Sequence, residues 1–138
     1  MVRPSQRKVV FQRLKSVYDL DTAAGSILIL PPALGNGTVI SARVKTLATS
    51  NSHVVKVGNS TDVMRGGVVI ADTDTSGAAS SFFAGATDDT ITLNRSTTGS
   101  VSLGEFLELV DVAAGVWQVR SALISGTGVV ATPFSATV

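Results

Sequence analysis

From Asp21 onward the chain is written in short apolar or alternating runs, each closed by turn residues, and no helical period is sustained anywhere in that span. This rhythm restricts the fold more than any other feature. Residues 26–30 are an apolar run stopped by Pro31-Pro32. Gly35-Asn36-Gly37 is a strong turn, because Asn and Gly tolerate positive φ. Residues 38–47 alternate, with Ile40, Ala42 and Val44 on one face and Ser41, Arg43 and Lys45 on the other, as in a half-buried strand. Further strands are predicted at 53–57, 68–71, 81–84, 89–94, 105–111 and 116–124, with an edge strand at 129–134. In the last long strand, Trp117, Val119 and Ser121 should oppose Gln118 and Arg120, after a hairpin turn at Ala113-Ala114-Gly115. Closely spaced strands without helices predict an all-β, single-domain β-sandwich, jelly roll or barrel.

The composition suits that fold. At 138 residues a chain can bury roughly two-thirds of its unfolded surface. Only 15% of residues are charged, against about 25% usually, so hydroxyls must cover much of the surface. There is no cysteine, which excludes disulfides and thiolate chemistry. No stretch approaches the length of a membrane-spanning helix, and the N-terminus lacks the apolar region of a signal peptide.

Net charge is +1, but its distribution is uneven. Residues 1–18 hold Arg3, Arg7, Lys8, Arg13 and Lys15 and no acid, leaving 6 basic and 10 acidic groups for the rest. The expected organisation is an N-terminal basic arm over 1–18 and a β domain over 19–138. Val9, Val10, Leu14, Val17 and Tyr18 would suit a short helix, and Val9-Val10-Phe11 an extended arm equally well. The arm is expected to dock on a protein partner, ahead of remaining solvated or engaging nucleic acid.

No catalytic set assembles from the sequence. His53 is the single histidine and lies in a strand-like run, so an ordinary strand histidine is expected ahead of a general base. Asp72-Thr73-Asp74-Thr75-Ser76-Gly77 matches the start of an EF-hand loop, yet Phe83 stands where the bidentate Glu belongs, so a β-turn loop is expected. Asp88-Asp89 opens a strand, and Glu105 and Glu108 fall on opposite faces, which argues against a glycosidase pair. No metal, cofactor or enzymatic activity is expected. A glycan-binding face would have only Trp117 and Tyr18 as stacking residues.

The segments Leu30-Pro31 with Gly35-Asn36-Gly37-Thr38, His53 to Gly58, Asp89 to Asn94, Gly104 to Asp111 and Gly115 to Val119 resemble head-decoration (capsid cement) proteins of tailed bacteriophages. The likeness covers roughly residues 20–134, and tail-fibre domains share parts of it. It implies a non-catalytic homotrimer on the virion surface, bound to the major capsid protein between capsomers. It assigns no residue a role. The basic arm lies outside it, and Arg3, Arg7, Lys8, Arg13 and Lys15 are separate candidates for capsid contact.

Overall fold

The computed structural model describes residues 15–75 and 77–138, apart from the side chains of Lys15 and Ser121. Arg3, Arg7, Lys8 and Arg13 lie outside the described residues. Among those described there are ten strands: β1 (Lys15–Leu20), β2 (Ile27–Leu30), β3 (Val39–Val44), β4 (His53–Val57), β5 (Val63–Asp72), β6 (Ala79–Phe83), β7 (Thr90–Leu93), β8 (Phe106–Ala113), β9 (Val116–Gly126) and β10 (Phe134–Ser135). No helix among them is long and apolar enough to cross a membrane.

The strands form two sheets, one of six in the order β1-β3-β8-β9-β5-β6 and one of four in the order β10-β7-β4-β2. Leu30, Val55, Val57, Ile91 and Leu93 of the smaller sheet share a single buried cluster with Ile40, Val44, Met64, Ile70, Leu109, Trp117 and Ile124 of the larger. The molecule is therefore an all-β fold with two sheets closed over one core, a β-sandwich arrangement. From β1 to β5 the chain changes sheet at every step. That is how β1 and β3, and β2 and β4, pair in parallel without a helical crossover.

Several turns share one device. The side-chain oxygen of Asn36 accepts from the N–H and hydroxyl of Thr38, and that of Asn59 from the N–H and hydroxyl of Thr61. Asn94 does the same for Ser96, with the hydroxyl at 3.3 Å. Each is an Asx turn, which replaces backbone partners that the chain reversal removes.

Three expectations are revised. β1 begins at Lys15, so residues 15–18 pair with Val39 to Ala42 and belong to the sheet, not to an arm. β5 starts at Val63, because its paired glycines, Gly66 and Gly67, hid its first half behind apparent turn chemistry. The end of the chain contributes only Phe134–Ser135 to a strand, since Pro133 cannot donate to a ladder.

One irregularity matters for the surface. β9 carries one residue more than either neighbour: Leu109 and Glu108 of β8 face Val119 and Ser121, and Gly66 and Val69 of β5 face Val119 and Leu123. This β-bulge leaves the Arg120 backbone without a residue opposite it on β8. It moves the inward phase from Trp117 and Val119 to Ile124, so the strict alternation expected through Ser121 breaks there. Gly66 is fitted to the bulge: its φ is +87°, and a Cβ would collide with the Val119 carbonyl oxygen.

Candidate interaction surface

The outer face of the larger sheet is set by strand parity. Phe106, Leu123 and Val69 lie side by side on β8, β9 and β5, and Phe83 stands opposite Gly67 on β6. In an ordinary two-layer fold such positions are polar. Here Phe83 is 77% exposed, Leu123 53%, Val69 40% and Phe106 38%. Leu103, 66% exposed, extends the row beyond Phe106 and shares a shallow cleft with Phe106 and Leu123.

A groove of about 470 Å³ runs along the other end of this row. Gly66 and Gly67 form its floor, Phe83 and Val69 its apolar lip, and Ser81, Gln118 and Arg120 its polar wall. The floor has a structural cause, since a Cβ on Gly67 would meet the Phe82 carbonyl at 2.8 Å and the Phe83 ring at 3.0 Å. The aromatic ring thus lies over the facing glycine and covers part of the backbone that a side chain would have covered.

Most charges on this face meet an opposite charge within it, and Arg65 meets backbone carbonyls instead. Glu108 accepts from the Arg120 guanidinium and, at 3.3 Å, from the Ser41 hydroxyl. Arg43 donates to Asp19 at 2.7 Å, and Lys45 sits 3.7 Å from the same carboxylate. Arg65 donates to the carbonyls of Met64 and Gly85.

Of the acids weighed for catalysis, Glu108 meets side chains and the other three hold backbone, as do Asp62 and Asp111, which the sequence does not single out. Glu105 is buried and accepts four backbone N–H groups: Ser100 at 3.0 Å, Val101 at 2.7 Å, Ser102 at 2.6 Å and Ser125 at 2.8 Å. Asp111 accepts from Leu34 and Gly35, and Asp62 from Ala33. Asp89 accepts from the Thr90 hydroxyl and the N–H groups of Thr137 and Val138, pinning the chain's end, while Asp88 caps Gly85. His53 is fully buried, accepting from the Ser26 N–H at Nδ1 and donating from Nε2 to the Thr46 carbonyl, so its neutral ring staples two loops.

The EF-hand-like segment is the connection between β5 and β6. The Asp74 carboxylate accepts from the Gly128 N–H at 2.8 Å and the Thr127 hydroxyl at 3.3 Å, joining that connection to the loop after β9. Hydrogen bonding to the Asp72 carboxyl first, then to Gly128, holds Asp74 below the ordinary carboxylate range. No group of three or more His, Asp or Glu among the described residues is placed to hold a metal ion.

Of the two aromatic residues considered for stacking on sugars, Trp117 is excluded. It is fully buried and donates from Nε1 to the Pro31 carbonyl at 3.0 Å. Tyr18 is 45% exposed on edge strand β1. Sequence reasoning missed Phe83, because Phe82-Phe83 gives no sign of which ring points inward. It is Phe82 that packs against the core. Of the basic candidates for capsid contact, only Lys15 falls within the described residues, as the first residue of β1. Compared with protein-family models, curated proteins and solved structures, the chain has no match.

Proposed function

We propose that this chain is a virion structural protein of the bacteriophage head-decoration kind. In this reading it is a non-enzymatic homotrimer that binds the outside of the head through the major capsid protein and stabilises adjacent capsomers. The observation that carries it is the bare apolar row of Phe83, Val69, Leu123 and Phe106 on a firm two-sheet frame. Exposed contiguous apolar surface of this kind marks association. The segment-level resemblance to decoration proteins supports the same reading. The basic arm adds a second contact, with Arg3, Arg7, Lys8 and Arg13, and Lys15 at the start of β1, facing an acidic capsid surface. Many weak symmetric contacts on one particle then give lasting attachment.

The test is to image purified particles assembled with and without the protein. Density on the head surface that vanishes when the protein is withheld supports the reading; unchanged heads with the protein located elsewhere sink it. Removing residues 2–14 keeps β1 intact and should abolish head binding while the sandwich stays folded.

A second reading has its own support: a receptor- or glycan-binding module of a phage tail fibre or spike. The groove sets an exposed ring, Phe83, beside Ser81, Gln118 and Arg120, and sugars are held by such pairs of stacking and polar groups. Glycan-array binding that disappears in Phe83→Ala would favour this reading over the first.

A further inference from the structure

We propose that the outer face of the larger sheet is where copies of this chain meet, with Phe83 of one copy seated against the Gly66-Gly67 groove of the next. The inference names the contact surface for the self-assembly in the reading above and rests on that part of it, not on the capsid or the arm.

Area argues first. Phe83, Leu103, Leu123, Val69 and Phe106 are 38–77% exposed and contiguous across three pairings of the sheet. Together they present on the order of 500 Å² of apolar surface, at the upper end of what a monomer exposes in one patch. A standard interface buries about 800 Å² per partner. The row with its polar margin of Ser81, Gln118 and Arg120 is therefore large enough to form the centre of a stable contact.

Charge argues for a copy as the occupant. Two identical faces repel when each carries a block of one sign. On this face Glu108 pairs with Arg120, and Asp19 with Arg43 and Lys45, so cations and anions alternate. The row itself contains no charged residue. Counting Arg65, the face carries more cations than anions, but the row itself keeps charge out of the contact, so a copy meets little repulsion there.

Shape argues for the same occupant. Phe83 lies over Gly67 of its own copy and forms one side of the groove, so a neighbour's ring can stack against it beside Gly66. At about 470 Å³ the groove falls in the range of cavities that enclose small ligands, ample for a benzyl group. Each copy can give a ring and receive one, and such a contact completes a ring of two or three copies where the rotation between neighbours closes.

The experiment measures solution mass by sedimentation at high micromolar concentration, for the full chain and for Leu123→Arg and Val69→Lys. Both positions are exposed, so the charge reaches water in a monomer and is trapped only in the contact. The expected mass of the parent chain is two or three times 14.1 kDa, and both variants should fall to 14.1 kDa with an unchanged β-type circular dichroism spectrum. Leu123→Asn, a milder change, should weaken association at least about tenfold. A monomeric parent chain, or an assembly that persists in both charged variants, overturns the proposal. Neither result depends on head binding, which the imaging of particles tests separately.

Discussion

Glu105 and Glu108 stand three positions apart around the start of β8, and they are used in opposite ways. Glu105 is sealed inside the molecule, where its two oxygens gather four N–H groups from the loop at 100–102 and from Ser125 on β9. Glu108 points outward and meets Arg120, whose side chain is 52% exposed. The first carboxylate replaces the water that buried backbone would otherwise need. The second neutralises a surface. The same contrast divides the molecule: Asp62, Asp89, Asp111 and His53 hold loop ends, while the outer face of the larger sheet pairs Glu108 with Arg120 and leaves an apolar row beside them. Polar side chains fix the frame, and apolar ones are left for contact.

The sharpest way to break this comparison is to remove each carboxylate in turn. Glu105→Ala orphans one buried and three part-buried donors and should cost about 3–4 kcal/mol, since each unsatisfied group costs roughly 1–3 kcal/mol before relaxation. Urea unfolding monitored by Trp117 fluorescence measures it. Next comes His53→Leu, which keeps an apolar body but strands the Ser26 N–H and Thr46 carbonyl, for a loss of about 2–3 kcal/mol by the same method. Gly66→Ala forces a Cβ into the bulge at positive φ and should cost about 2 kcal/mol. Glu108→Ala should cost less, about 1–2 kcal/mol: its side chain is only 12% exposed and accepts from the Ser41 hydroxyl, but Arg120, at 52%, stays solvated without it. Equal losses for Glu105→Ala and Glu108→Ala would erase the distinction between frame and face.

Much of the frame is legible in the sequence. Alternation places Ile40, Ala42 and Val44 inward in β3, and His53–Val57 is a strand with the predicted bounds. What fails has a local cause. A strand containing Gly66-Gly67 reads as a turn, because its reason for glycine is the facing Val119 carbonyl and Phe83 ring, both distant in sequence. The bulge at Arg120 is invisible, since one extra residue changes no composition yet reverses the phase of everything after it. The apolar row is hidden for a related reason. Leu107 and Leu109 are core, whereas Phe106 and Leu123 are surface, and only the sheet pairing tells them apart. The buried acids are the hardest to foresee. An Asp beside a turn reads as a solvated residue until the loop it holds is known.

The smallest expected effect separates the two uses of a carboxylate by pH. Asp74 belongs to neither the core nor the apolar row: it is exposed and ties the β5–β6 connection to Gly128. Its folded pKa lies below the ordinary value of 3.8, so protons bind the unfolded segment more readily than the folded one. Its contribution is therefore complete above the unfolded pKa and fades as pH falls through the lower folded value. Screening by solvent keeps the effect local, so the readout is the Gly128 amide shift by NMR, not global unfolding. That resonance should titrate with a midpoint below the ordinary value of 3.8, and Asp74→Asn should abolish the titration. A midpoint at or above that value would show that the tie does not hold Asp74 ionised. The contrast between carboxylates that fix backbone and those that only adjust charge would then be sharper, with Asp74 among the second.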